Sequence, residues 1–303
     1  MISNSRHKID KLDIVIARAC NLNCEGCVTF SNFSHIRGIL RWQDQKDKIL
    51  PWLDRLEISD FITLFGGEPL LNPDIMDYLQ GITSYYEEIG ESTTISIQTN
   101  GIRLLENLDI IRFGCNKKSI VIDVSLHSSN SKYQDKVKLG IKRAQDIITE
   151  HMQTDPNLKN FLTVTDYVGE YWMNHYLTKE DGSIEPARDY NSTDAPWPHK
   201  TCHIKDFVNL YDGRLYKCPP MATIANYGKQ TSNFDYEKWR PWLEEYKSCG
   251  IHDDLGSWLE TRKGPENVCN MCFPPTRDWQ NISHDAKLKY NIAFDEAKFN
   301  RYF

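Results

Sequence analysis

The chain has 303 residues, 40% of them hydrophobic and 26% charged, with a formal net charge of -6. That length and apolar share suit one large α/β domain with an appendage, and the acidic balance, without a basic run, excludes a nucleic-acid-tracking groove as the main feature. No run of about 18 apolar residues occurs, and MISNSRHKID at the start holds no apolar segment of the secretory kind, so a cytoplasmic protein with no membrane partner is expected.

Five short β-branched runs, bounded by polar residues or glycine, predict strands at 12–16, 61–65, 94–99, 119–124 and 161–165. Helical periods lie between them. Asn72-Pro73-Asp74 carries a cap and a first-turn proline, after which Ile75, Leu79, Ile82 and Tyr86 mark one apolar face. Val137, Ile141, Ala144 and Ile148 mark another, within a helix predicted at about 133–151. This alternation predicts βαβ units on a parallel sheet. With a sixth strand that the pattern does not locate, the expectation is an α/β fold, a partial (β/α)6 TIM-like barrel. From 178 the pattern breaks in TKEDGSIEPARDYNSTDAPWPHK, which reads as an irregular connection. The expected division is a barrel core at 1–177, then at 178–303 the linker and a second, cysteine-bearing subdomain.

Nine cysteines are present, and an odd number in a reducing compartment argues for metal ligation rather than a disulfide framework. Cys20, Cys24 and Cys27 fall in ACNLNCEGCVTF, directly after the first predicted strand. A structural zinc ion takes four protein ligands. Three thiolates in one short loop instead leave one iron of a [4Fe–4S] cube open to chelate a small molecule. A zinc knuckle is the competing use of such a triplet. Barrel active sites lie at the C-terminal ends of the strands, where this loop sits.

C-x3-C-x2-C in that position resembles the radical S-adenosylmethionine (SAM) superfamily. Further motifs at successive strand ends strengthen the likeness: Phe65-Gly66-Gly67-Glu68-Pro69-Leu70, then Ile97-Gln98-Thr99-Asn100-Gly101, then Ser125-Leu126-His127-Ser128. The resemblance covers roughly residues 12–165. It implies that Cys20, Cys24 and Cys27 hold a [4Fe–4S] cluster whose free iron binds the amine and carboxylate of SAM. It also implies that reductive cleavage gives a 5′-deoxyadenosyl radical, with electrons from a partner such as flavodoxin or ferredoxin. Gly66, Gly67 and Glu68 would meet the methionyl amine, with Gln98 and Asn100 near the ribose and Ser125 also on SAM. Two glycines let backbone approach closely. One departure stands out: Gly26 occupies the place where many members carry an aromatic beside the adenine, so either Phe30 substitutes or the adenine is contacted differently.

In CHIKDFVNLYDGRLYKC, Asp212-Gly213 predicts a hairpin turn that brings Cys202 near Cys218. Cys269 and Cys272 add a C-x2-C pair. The pattern resembles the Twitch subdomain, a shortened SPASM extension, in a layout like that of the 2-deoxy-scyllo-inosamine dehydrogenase type. This implies a second [4Fe–4S] cluster on Cys202, Cys218, Cys269 and Cys272, fully ligated and serving as an electron relay. A zinc site on the same thiols is the plain alternative, Cys249 is a competing ligand, and Cys115 reads as a buried thiol.

A hydrogen atom taken from a hydroxyl-bearing carbon, followed by loss of a proton and an electron, makes a carbonyl. The expectation is therefore a dehydrogenase-like oxidoreductase acting on a small hydroxylated metabolite. Modification of a ribosomal peptide, by epimerisation or crosslinking, is the second reading, and an iron–sulfur scaffold or carrier the third. For the proton, Asp166 and His127 are the candidate catalytic bases, with His199, His203 and Asp206 behind them.

Overall fold

A computed structural model describes residues 6–24, 26–32, 38–168, 175–181, 183–191, 199–200, 202, 204–227, 234–272 and 287–288. In chain order its elements are β1 (His7–Ala17), β2 (Leu22–Asn23), α1 (Trp42–Arg55), β3 (Leu56–Gly66), α2 (Ile75–Glu88), β4 (Thr94–Thr99), α3 (Asp109–Lys117), β5 (Ile120–Leu126), α4 (Ser131–Thr154) and β6 (Leu162–Asp166). There follow β7 (Tyr176–Thr178), β8 (Ile184–Pro186), β9 (Phe207–Tyr211), β10 (Arg214–Tyr216), α5 (Pro219–Tyr227), α6 (Tyr236–Glu245), α7 (Leu255–Thr261) and β11 (Lys287–Leu288).

The central sheet runs β10-β9-β1-β3-β4-β5-β6, parallel throughout except for the β9–β10 hairpin. All five predicted strands are present, and the sheet is that of a partial TIM-like barrel. The sixth parallel strand is β9, paired with β1 at the edge away from β6. It follows β6 in the chain by about forty residues, among which the short strands β7 and β8 pair with each other and not with the main sheet, so no local period could place it. Asp212 and Gly213 take positive φ values of 46 and 81, the backbone that a two-residue hairpin demands.

Alternate strand residues, on the face turned to the helices, make the core readable. Leu12, Ile14, Ile16, Ile62, Leu64, Ile95, Ile97, Ile122 and Val124 pack beneath α1 to α4. The expected cap of α2 is used differently. Asp74 turns its carboxylate to the Arg41 guanidinium and to the Trp42 backbone N–H at 3.0 Å. The side-chain amide of Asn72 donates to the carbonyls of Ile16 and Leu40 at 2.8 and 2.9 Å, tying the helix start to β1.

A second, smaller core gathers Tyr176, Ile184, Met221, Ile224, Phe234, Trp239, Trp242, Val268 and Met271. Phe30 from the cysteine loop joins it, fully buried, with ring centroids 4.8 Å from Tyr176 and 5.6 Å from Phe234. Phe30 is therefore a core side chain, which corrects its expected role beside an adenine: apolar burial against three aromatic rings claims it.

Candidate functional site

Gly66 sits at φ +143, and a Cβ there would stand 2.0 Å from the carbonyl oxygen of Ala17; at Gly67 it would stand 2.3 Å from that of Ala19. Two backbone hydrogen bonds, Gly67 N–H to Ala17 O at 2.8 Å and Glu68 N–H to Ala19 O at 2.9 Å, close the contact. The glycines thus admit the chain's own backbone at the root of the cysteine loop.

Glu68 is fully buried, and its carboxylate is committed inward. Oε1 accepts from Leu70 N–H at 2.9 Å and from the Thr99 hydroxyl at 2.6 Å, and Oε2 accepts from Asn100 N–H at 2.8 Å. Burial pushes this carboxyl up to about 7 despite the three donors. The side-chain amide of Asn100 donates to Asn21 Oδ1 at 2.7 Å and approaches Cys20 Sγ at 3.8 Å, while its oxygen accepts from Ile102 N–H at 3.1 Å. Tyr133, from α4, donates to the Asn100 carbonyl at 2.9 Å. The ends of β1, β3 and β4 and the start of α4 are thus held together beneath the cysteine loop.

A cavity of about 700 Å³ opens at these strand ends. Cys20, Cys24 and Cys27 line it, as do Gly66, Gly67, Gln98, Asn100, Ser125, His127 and Asp166 from the motif-bearing strand ends. Glu68 is not among the lining residues, because its carboxylate serves the frame behind the wall. Ser125 Oγ is buried and has no hydrogen-bond partner. His127 stacks on Tyr167 with centroids 5.7 Å apart, and Asp166 accepts from Val168 N–H at 2.9 Å.

Sequence reasoning passed over Asp13, Tyr167, Phe65 and Phe207, which also face the cavity. Asp13 is the informative omission. It lies on β1 in register with Thr63 and with Asn209 of β9, is 3% exposed, and leaves Oδ1 without a hydrogen bond. Burial pushes its carboxyl up to about 7, partly offset by the Thr63 hydroxyl and the Lys11 charge. The signal was available: one carboxylate inside an otherwise apolar strand run.

The second group of thiols also converges. Cys202, Cys218, Cys269 and Cys272 line one cavity of about 40 Å³, more than a single water needs, together with His175, His199, Lys205 and Lys217. Burial pushes the Cys218 thiol up to about 12 and holds the Cys272 thiol well above its ordinary value, with repulsion among the neighbouring thiols adding to both. Burial thus favours the neutral thiols, and four thiolates in so dry a space would need a cation or cluster to neutralise them. Among the described residues no three Cys, His, Asp or Glu side chains stand close enough together to hold a single metal ion. Cys249 stands apart, fully buried in the main core, its backbone bridged both ways to Leu215 at 2.9 Å. Cys115 is buried on α3. Asp206 is exposed, and His203 lies outside the described residues. Ile204 lines both cavities, which are therefore neighbours.

Comparison with known proteins adds four findings. Residues 14–149 match the family described as the Radical SAM superfamily. Over 170 residues the chain is 30% identical to a 7-carboxy-7-deazaguanine synthase from Clostridium acetobutylicum, taking in 47% of this chain and 68% of that one. It is 27% identical over 149 residues to a GTP 3′,8-cyclase from Listeria monocytogenes, 46% of this chain and 42% of that one, so it spans under half the cyclase's length. Among solved structures, BtrN in complex with AdoMet and 2-DOIA superposes with a TM-score of 0.51 over 91% of this chain and 98% of that one, at 15% identity, a likeness of fold.

Proposed function

This chain belongs to the radical SAM superfamily, and from that premise we propose that it oxidises a small hydroxylated metabolite, using SAM and two [4Fe–4S] clusters. Members of the superfamily need a substrate and a one-electron reductant, for which a flavodoxin or ferredoxin is the natural class. Among the described residues no helix is long and apolar enough to cross a membrane.

The residues present fit these groups. Three thiols and an uncommitted buried hydroxyl, Ser125 Oγ, face the larger cavity, whose volume is of the order a nucleotide-sized ligand needs. Four thiols enclose the smaller one. When bound, the groups supply the electron chemistry: reductive opening of the SAM sulfonium to a 5′-deoxyadenosyl radical at one end, and an electron acceptor at the other. The protein's own part is position and polarity. Gly66, Gly67, Glu68 and Asn100 hold the cysteine loop against the strand ends. His127 and Tyr167 offer a flat stacked surface on the wall. Asp13, Asp166 and His127 are the groups able to take the hydroxyl proton, and Asp13, raised by burial, is suited to holding one near neutrality. Oxidation of a hydroxyl-bearing carbon to a carbonyl would release a hydrogen atom, a proton and an electron: the bound groups would take the hydrogen atom and the electron, and Asp13, Asp166 or His127 would take the proton.

The observation that carries this reading is the pair of thiol-lined cavities sharing Ile204, which gives the departing electron a short way out. The division into a core at 1–177 and a Twitch-type unit at 178–303 is part of the same proposal: most of the second aromatic core comes from the later part, with Phe30 and Tyr176 joining it, while β9 and β10 of that part extend the main sheet. Iron counting on anaerobically reconstituted protein tests it. About eight iron atoms per chain are expected, about four remaining in the Cys20→Ala, Cys24→Ala, Cys27→Ala chain, which should form no 5′-deoxyadenosine. About four iron atoms plus one zinc in the unsubstituted protein would remove the second cluster, and with it the acceptor.

A further inference from the structure

The smaller cavity carries more than four thiols. His175 is 2% exposed, and its Nδ1 lies 3.4 Å from Cys272 Sγ. A thiolate can only accept, so once Cys272 is a ligand Nδ1 carries the hydrogen and donates it to sulfur. Lys217 is 4% exposed on the same wall; its Nζ donates to Glu266 Oε1 at 2.7 Å and to the Gly264 carbonyl at 3.3 Å. Its charge acts on Cys202, Cys218 and Cys269. Lys205 adds a further ammonium at the rim, against the carboxylates of Asp206 and Glu266.

We infer that His175 and Lys217 set the reduction potential of the group held by the four thiols, raising it so that the group accepts an electron rather than donates one. This rests on the reading of that cavity as an iron–sulfur site. The physical reason is general. A cube ligated by four thiolates is anionic, and adding an electron in a dry cavity costs more the less its charge is compensated. A hydrogen bond to a ligand sulfur and buried cations both offset that cost. The wall of the larger cavity differs in kind: among the described residues that line it there is no lysine or arginine. The two sites are therefore poised apart, and electrons run from the substrate end toward Cys272.

The test isolates the second site by using the full chain with Cys20→Ala, Cys24→Ala and Cys27→Ala, reconstituted without oxygen. Its midpoint potential is read by redox titration followed by electron paramagnetic resonance, alongside iron content. His175→Phe and Lys217→Met are each expected to move the midpoint to more negative values with iron content unchanged, while His175→Gln and Lys217→Arg stay near the parent. Unchanged or more positive midpoints at full iron content overturn the inference. If His175→Phe fails to retain iron, Lys217→Met decides by the same criterion. A parent that holds zinc or no metal at these thiols refutes the function proposed above instead, so the two failures are told apart before any potential is measured.

Discussion

Thr99 donates its hydroxyl to Glu68 at 2.6 Å, and this contact joins the C-terminal ends of β4 and β3 inside the protein. Glu68 also takes the backbone N–H groups of Leu70 and Asn100, so the acid of the Gly-Gly-Glu-Pro motif is a three-donor clamp beneath the cysteine loop. Glu68→Gln must turn an amide N–H toward one of those donors. A loss of about 1–3 kcal/mol in folding stability is expected. Urea unfolding measures it, and an unshifted midpoint would reject the clamp.

Gly66 is closed to any side chain by the Ala17 carbonyl, 2.0 Å from where a Cβ would lie. Gly66→Ala should push the loop carrying Cys20, Cys24 and Cys27 off its seat. The reconstituted variant should hold about half the iron of the parent, on the count of one cube lost from two, and make no 5′-deoxyadenosine. Full iron loading would show that the loop does not depend on this contact.

Asp13 and Glu68 both have carboxyls raised by burial to about 7 in the folded chain. The unfolded chain titrates near 4. The folded state therefore holds these protons more tightly, and the stability this brings is complete below about pH 4 and lost as pH rises through about 7. Asp13→Asn removes one contribution, on the order of 4 kcal/mol at the alkaline end. The variant should melt above the parent at about pH 8, and the gap should close toward about pH 4. Calorimetry at several pH values checks this; a gap that does not vary with pH contradicts it.

Trp239 anchors the second core, fully buried, with its indole N–H on the Ile184 carbonyl at 3.2 Å. Cys218 and Cys272 pack against the same core. Trp239→Ala should cost about 3–5 kcal/mol and loosen the four-thiol cavity. Iron should fall at the second site while 5′-deoxyadenosine formation persists, the reverse of Gly66→Ala. Loss of both together would mean that the two cores do not loosen separately.

Much of the site could be read from local sequence because strand ends concentrate function in a parallel barrel. The cysteine triplet, Gly66-Gly67, Gln98, Asn100, Ser125, His127 and Asp166 each follow or end a β-branched run, and all face one cavity. What local pattern could not show is which groups in a motif face outward. Glu68 and the Asn100 amide read as ligand contacts, yet their hydrogen bonds go to the protein's own frame. Phe30 read as a spare aromatic, yet it fills the second core. Asp13 read as one residue of a strand, yet it stands beside Asn209, nearly two hundred positions away.

Residue order alone specified the five consecutive parallel strands, the hairpin turn at Asp212-Gly213 and the two clusters of thiols, because period, turn conformation and ligand spacing are properties of near neighbours. Only tertiary structure decided that the sixth parallel strand is β9 beside β1, that Cys202, Cys218, Cys269 and Cys272 close on one cavity while Cys249 does not, and that Ile204 lines both chambers. Those outcomes depend on burial and pairing between segments far apart in the chain, where the free energy of contact leaves no periodic trace in either segment.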